Sequence, residues 1–348
     1  MGATRFGPGT GMTNLKKLSL LKLLDPIADD LKRVERALVE QVDGFAPHIR
    51  DQIQYLLVGS GKRLRPALAL LVGGATGGVT DLHITIGVVV ELIHLATLVH
   101  DDVLDEAELR HGQPSAKARW GNEISVLLGD CLFARALHLT ASYSTTDVCR
   151  RVSAAANTVC AGEILQNQRR FDLGLSRQQY LDMINMKTGA LFAVSCELGA
   201  LLNRAPALVV EQMSRLGSDL GIAYQIYDDC VDIFGQEQKA GKSLGTDMNK
   251  GKLTLPLLLL LEHVGASRRQ EVEELLQNSD AAERRRLMEL VLGNGVVSES
   301  LLTIERYVQQ ARRQLSGLED NHYTRTLDGL LDFIGYKSQT LMKEAVLA

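Results

Sequence analysis

The chain has little proline: Pro8, Pro26, Pro47, Pro66, Pro114, Pro206 and Pro256 are the only seven in 348 residues. Long proline-free intervals leave room for long helices, since an interior proline costs a helix ~3 kcal/mol. Strand-like alternation of apolar and polar residues around hairpin turns is lacking, which argues against a β fold. Cysteine is sparse and unpaired in pattern. Cys131, Cys149, Cys160, Cys196 and Cys230 are odd in number and form no CxxC, so neither a disulfide framework nor a zinc site is indicated. Most lie in apolar segments, as buried reduced thiols do. There is no excess of positive charge (formal net charge -4), so no nucleic-acid partner is expected. The longest apolar stretches, 84–99 and 253–261, are interrupted by Glu91 and His94 and by Pro256, and fall short of the ~20 residues of a membrane span. Residues 1–12 lack the apolar centre of a secretory signal, and Phe6 breaks the myristoylation pattern. The expected location is cytoplasmic.

What is present is helical periodicity. Apolar residues recur at three and four, as in Ile124, Leu127, Leu128, Cys131, Leu132, Ala134, Leu137 and Leu139, a stripe wide enough for a helix buried on most sides. The pattern predicts helices near 15–43, 47–58, 64–75, 81–107, 115–119, 122–143, 147–171, 177–202, 208–234, 253–264, 267–277, 281–292, 296–315 and 321–345. Asp81 and Ser176 are candidate N-caps, and the glycine-rich stretches 59–61, 73–78 and 241–252 read as connectors. No shift in composition marks a boundary. The expectation is a flexible tail over 1–14 and a single all-α domain over 15–348.

Two copies of Asp-Asp-x-x-Asp stand far apart in this helical sequence: Asp101, Asp102 and Asp105, then Asp228, Asp229 and Asp232. Residues four apart share a helix face, so Asp101 projects with Asp105 and Asp228 with Asp232, whereas Asp102 and Asp229 lie about 100° round the axis. Apolar residues flank both motifs. Packing such carboxylates together without compensation is electrostatically costly. Divalent cations remove that cost, and hard oxygen donors suit Mg²⁺, above all where phosphate oxygens complete its shell. The pair therefore reads as a metal-bridged diphosphate site between helices; a purely structural cation site would explain the carboxylates alone.

Cations accompany them. GSGKRLRP places Lys62, Arg63 and Arg65 beside a glycine turn and a helix start, an anion site by both charge and free N–H groups; a basic cap on an exposed loop is the plainer alternative. Arg110, His111 and Gly112 follow the first motif closely, although Arg110 could simply pair with Glu106. His94 lies two turns before Asp101. Lys187 and Thr188 sit in an apolar helix where a lysine needs an anion, with Gly189 breaking regularity there. Gln225 lies one turn before Asp228, and GEILQ supplies Gln166. The stretch 241–252 brings Lys242, Asp247, Lys250 and Lys252 close behind the second motif on a glycine-rich flap.

Taken in order, GSGKRLRP, HLATLVHDDVLDEAELRHG, GEILQ, MKTG, YQIYDD and GKSLGTDMNKGKLTLP resemble the all-trans isoprenyl diphosphate synthases, and the long-chain, octaprenyl-type branch of them, over roughly residues 20–345. The resemblance implies an isoprenoid synthase fold, a large helical bundle around a central cavity, assembled as a homodimer. It implies isopentenyl diphosphate and an allylic diphosphate as substrates and two to three Mg²⁺ ions. It places Asp101, Asp102, Asp105, Asp228, Asp229 and Asp232 at the metals. Lys62, Arg65 and His94 match the isopentenyl diphosphate pocket, and Arg110, Lys187, Thr188, Gln225, Lys242 and Lys252 match groups around the allylic diphosphate or its closing loop. Where the family usually carries a second arginine that contacts isopentenyl diphosphate, this chain has His111, only fractionally charged near neutrality.

The resemblance also implies where the product grows: down the helix that carries the first motif, past Ala96 and Thr97. Both are small here, whereas short-chain members carry bulky aromatics, so the tunnel is expected to continue toward Ile93, Val89 and Ile86, with Phe133 or Leu137 as its floor. That predicts a chain of about seven to ten isoprene units, suited to a quinone. Three other readings stand beside it: a farnesyl or geranylgeranyl diphosphate synthase, the regulatory subunit of a heteromeric synthase, and a terpene cyclase. Regulatory subunits typically lose an aspartate motif, and cyclases typically carry a different second one.

Overall fold

The computed structural model describes residues 20–58, 61–110, 112–235, 245–277 and 281–347. His111 and Lys242 lie outside them. Sixteen α-helices are seen among the described residues: α1 (Leu20–Leu23), α2 (Ala28–Glu40), α3 (Arg50–Leu57), α4 (Leu64–Thr76), α5 (Asp81–Leu104), α6 (Ala116–Thr140), α7 (Asp147–Gln168), α8 (Arg177–Ile184), α9 (Ala190–Leu202), α10 (Ala207–Phe234), α11 (Thr246–Asn249), α12 (Leu255–His263), α13 (Ala266–Gln277), α14 (Ala281–Gly293), α15 (Val296–Arg313) and α16 (His322–Leu347). The all-α expectation holds apart from one two-residue antiparallel pair, β1 (Leu109–Arg110) with β2 (Gln113–Pro114), which folds the chain back after the first aspartate motif.

The helices follow the periodicity, with instructive departures. The predicted 15–43 helix is broken by a 3-10 turn at Asp25–Ile27, where Pro26 removes a donor. Ser176 caps α8: its hydroxyl accepts from the Gln179 N–H while the Gln179 side chain accepts from the Ser176 N–H, a capping box. The cap of α5 is Thr80 rather than Asp81, with His83 in the reciprocal role. The predicted connector at 73–78 is helical through Thr76. Gly73 belongs to that helix because the His83 ring packs where a Cβ would stand, 2.4 Å away, so the glycine serves close approach rather than a turn.

α4, α5, α9 and α10 form the centre, with α6 and α7 on one side and α15 and α16 on the other. Leu68, Leu70, Leu71, Ile86, Leu92, Ile93 and Phe192 are fully buried there. α5 is long and apolar enough by composition to cross a membrane (mean hydropathy 2.0), yet 67% of that stretch is buried within the protein, as a core helix is. α6 corrects the expected burial on most sides. It buries Leu128, Leu132 and Ala136 against the core and leaves Ile124, Leu127 and Leu137 exposed. At Gly121 the backbone leaves the helical region (φ 81), so the two predicted segments 115–119 and 122–143 merge across a kink.

Candidate active site

A cavity of about 1610 Å³ opens among the central helices. Asp101 reaches it from α5 and Asp105 from the cap that ends that helix, and Asp228 and Asp229 reach it from α10. Lys62, Arg65, His94, Arg110, Gln166, Lys187, Thr188, Gln225 and Lys252 line the same cavity. Motifs separated by more than a hundred residues thus share one space.

Lys187 is placed by an irregularity. Asn185–Gly189 form a π turn between α8 and α9, a wide turn that shifts the register of side chains and is frequent at functional sites. Its ammonium donates to Gln166 Oε1 at 2.9 Å, pairs with Glu163, and lies 3.8 Å from Asp101 Oδ2. Burial works to lower the Lys187 pKa, but Asp101, Glu163 and Asp105 outweigh it and hold the group charged. Asp101 is itself pushed up to about 6 by burial, with Glu163 and Asp105 adding to the effect and Lys187 opposing it.

The second motif is anchored by a chain of polar contacts. Thr188 Oγ1 donates to Gln225 Oε1 at 2.7 Å, and Gln225 Nε2 donates to Asp229 Oδ1 at 2.8 Å. The fully buried Tyr180 donates its hydroxyl to Asp229 Oδ2 at 2.5 Å. Burial and then the charge of Asp247 raise the Asp229 carboxyl to about 8 despite those donors. Asp105 shows the opposite balance. Burial would raise it, but Lys252, Lys250 and Lys187 hold it below the usual carboxylate range.

Two aspartates stand apart from the others. Asp102 is 3% exposed, lies outside the cavity wall, and accepts from Arg110 Nε at 3.0 Å and from its Nη2. The rotation of about 100° that separates it from Asp101 turns it toward the β1 strand. Arg110 therefore pairs with Asp102, not Glu106. Asp232, also 3% exposed, lies outside the wall too, because residues 245–247 fold over it: its carboxylate accepts the Asp247 N–H at 3.3 Å and its carbonyl the Gly245 N–H at 3.0 Å.

The basic segment before α4 divides into two roles. Lys62 and Arg65 line the cavity, the Arg65 guanidinium stacking over Phe192 at 4.8 Å. Arg63 also borders the cavity, but its guanidinium is taken up by the fold. It sits in left-handed backbone (φ 48) and binds Glu91 and Glu35, each at 2.6 Å, and the Leu57 carbonyl at 3.1 Å. Sequence reasoning missed Glu163, Tyr180 and Arg170, which hold Lys187, Asp229 and Asp105 respectively. A charged residue inside the apolar GEILQ helix was the one available signal.

The tunnel expectation needs correction. Ala96 is fully buried and, with Ile93, Val89 and Ile86, faces the core rather than the cavity. The wall one turn from Asp101 is formed by Thr97 and Leu98, continued by Phe133 from α6 and by Val159, Cys160 and Ile164 from α7. Adjacent helix positions differ by about 100°, which separates the two small residues. Phe133 is in place, its ring 5.9 Å from that of His100, and Leu137 is not in the wall.

As the side chains stand, no three carboxylates, histidines or cysteines among the described residues converge on one cation position. The donor set nevertheless fits a hard divalent ion. Asp101 and Asp229 carry carboxyls raised by burial and neighbouring negative charge, the strain a cation relieves. Asp101, Asp105, Asp228 and Asp229 all present oxygens to the same cavity.

Residues 46–291 match the sequence profile of the family described as Polyprenyl synthetase. The chain is similar to heptaprenyl diphosphate synthase component 2 of Geobacillus stearothermophilus, 35% identical over 89% of this chain and 96% of the relative. It is similar to octaprenyl diphosphate synthase of Escherichia coli, 32% identical over 90% and 97%. The crystal structure of a polyprenyl synthase from Caulobacter crescentus, complexed with calcium and isoprenyl diphosphate, superposes with a TM-score of 0.86 at 33% identity, covering 91% of this chain and 97% of that one. With both aspartate motifs and the basic segments facing one cavity in an all-α bundle, the chain belongs to the polyprenyl synthetase family of prenyltransferases.

Proposed function

We propose that the enzyme condenses isopentenyl diphosphate with an allylic diphosphate and repeats the step to give a long all-trans polyprenyl diphosphate. One observation carries this reading: aspartates of both motifs, the cations Lys62, Arg65, Arg110, Lys187 and Lys252, and apolar side chains such as Leu98, Phe133 and Ile164 all line a single cavity. One cation group, Lys62 and Arg65 with His94, suits the isopentenyl diphosphate. The other, Lys187 and Lys252 with Arg110, Thr188 and Gln225, suits the allylic diphosphate beside the aspartates; Lys242 and His111 belong to these groups by sequence position.

Mg²⁺ held by Asp101, Asp105, Asp228 and Asp229 would supply Lewis-acid stabilisation of the departing diphosphate; Asp102 and Asp232 belong to this set by their place in the two motifs. Lys187 and Lys252 add positive charge where the leaving group's charge develops, in a partly desolvated site where it counts most. Arg65, stacked on Phe192, holds the second diphosphate so that its double bond meets the allylic carbon. The C–C bond forms as the allylic C–O bond to diphosphate breaks, and loss of a proton to the released diphosphate then restores an alkene one isoprene unit longer. No side-chain nucleophile is required.

The length of about seven to ten units rests on the small Thr97 at the cavity wall and agrees with the heptaprenyl and octaprenyl relatives. A quinone side chain is the destination we favour. The exposed Ile124, Leu127 and Leu137 on α6 support a homodimer that covers them. The five free cysteines suit a reducing, cytoplasmic setting.

Purified protein given Mg²⁺, labelled isopentenyl diphosphate and a series of allylic primers tests the proposal by product chromatography. Asp101→Ala or Asp228→Ala should lower turnover at least ~10²-fold, as loss of one electrostatic stabiliser does. Near-normal turnover in either variant would overturn the assignment of the aspartates, and products that stop at three units would overturn the long-chain reading.

A further inference from the structure

Asp105, the last aspartate of the first motif, is surrounded by three cations from two segments. Arg170 Nη2 donates to Oδ1 at 2.9 Å. Lys252 Nζ donates to Oδ2 at 2.9 Å, and Lys250 Nζ lies 3.4 Å from the same oxygen. The lysines come from the turn after α11 and the arginine from the turn after α7, so two loops meet at one carboxylate.

Those loops are stapled beside it. The Phe171 N–H donates to the Gly251 carbonyl at 2.8 Å. Phe171 is one of four non-glycine described residues with positive φ (61), and Gly251 has φ 69 with the Phe171 ring 2.5 Å from where a Cβ would stand. A strained backbone is retained only where its surroundings enforce it. Here the strain positions Arg170, the neighbouring residue. At the other end of the same segment, Asp247 donates its N–H to Asp232 of the second motif. The 245–252 segment thus ties both motifs together, with Arg170 as its clamp on the first.

A carboxylate already paired with three cations binds a divalent ion only as some of them withdraw. Lys250 and Lys252 line the cavity, where a diphosphate would receive them; Arg170 does not, and the α7 turn holds it in place. Its Nε is buried without a hydrogen-bond partner, so the pairing of the guanidinium runs through Nη2 and Asp105.

We propose that Arg170, held by the Phe171–Gly251 staple, is a positioning residue that competes with divalent metal for Asp105 and so sets the metal affinity of the first aspartate motif. The inference rests on the metal reading given above. It has a directional consequence that a merely structural role lacks: removing the charge should tighten metal binding.

The experiment measures Mn²⁺ binding to the intact protein by the electron paramagnetic resonance of free Mn²⁺, with inorganic diphosphate present. Arg170→Gln should tighten binding by roughly threefold to tenfold, the range for losing one partly exposed ion pair, and should lower the Mg²⁺ concentration needed for half-maximal turnover. Arg170→Lys should restore wild-type affinity. Phe171→Ala should shift affinity in the same direction by less, and the double variant should bind no tighter than Arg170→Gln alone. Helical circular dichroism and the thermal midpoint establish that each variant is folded. Asp105→Asn separates the two levels of the argument. If it weakens Mn²⁺ binding while Arg170→Gln leaves affinity unchanged or weaker, the proposal is wrong and the metal reading stands. If Asp105→Asn has no effect on Mn²⁺ binding, the metal reading of Asp105 fails and takes the proposal with it.

Discussion

Arg63→Met should destabilise the protein while sparing the chemistry. The Arg63 side chain is 7% exposed and its partner Glu91 3%, whereas Glu35 is 45% exposed. Removing the guanidinium therefore strands one carboxylate in the interior and leaves the other in water. Breaking a buried pair by deleting one partner costs about 3–5 kcal/mol, while the half-exposed Glu35 contact adds at most ~1 kcal/mol. A loss near 4 kcal/mol is a large share of the 5–15 kcal/mol typical of a folded domain. In urea it should lower the unfolding midpoint by roughly 1 M or more. Arg63→Met/Glu91→Leu should recover most of that loss, because replacing both members of a buried pair by apolar groups is often neutral. The functional consequence is local: Lys62 and Arg65 flank Arg63, so the single variant should raise the KM for isopentenyl diphosphate more than it lowers kcat. Equilibrium denaturation of the four-member cycle, followed by steady-state kinetics, measures both effects. A single variant that loses less than ~1 kcal/mol, or a double variant no more stable than the single, would refute the reasoning.

Thr97→Phe should shorten the product by obstructing the cavity wall, whereas Ala96→Phe should overpack the core and destabilise by about 1–3 kcal/mol; product chromatography and thermal melts distinguish the two. Lys187→Met should reduce kcat about 10²–10³-fold with little change in the KM for isopentenyl diphosphate, read from initial rates at saturating Mg²⁺. Burial pushes the Asp219 carboxyl up to about 6 against the pull of Arg215. A folded-state pKa raised above its unfolded value means stability that is fully present below about pH 4 and lost as pH rises through 6. Asp219→Asn should therefore leave the melting temperature unchanged at pH 4 and raise it at pH 8 by about 1–2 °C, the effect of roughly 1 kcal/mol after solvent screening.

Local rules carried much of this protein in one dimension. Scarce proline and a three-to-four period of apolar residues determined an all-α chain, Ser176 and Gln179 determined where α8 starts, and the two aspartate motifs with their basic companions pointed to a metal and diphosphate site. Those signals survive in sequence because they depend on residues within a turn or two of one another. Which of two adjacent residues faces the cavity was beyond them. Ala96 and Thr97 look alike on paper, and only the packing of α5 against its neighbours decided that Thr97 forms the wall. The same holds for Arg63 and Arg65, two positions apart: both border the cavity, but one is taken up by Glu91 and Glu35 and the other stacks over Phe192. Tyr180 and Arg170 carry no local mark of their roles, since their partners Asp229 and Asp105 lie 49 and 65 residues away. Helical periodicity identifies an apolar stripe, but it cannot say whether its own chain covers it, so α6 had to be seen folded before Ile124 and Leu127 proved to face outward. Burial, charge pairing and the direction of a side chain are properties of several elements at once, and those the tertiary structure alone decided.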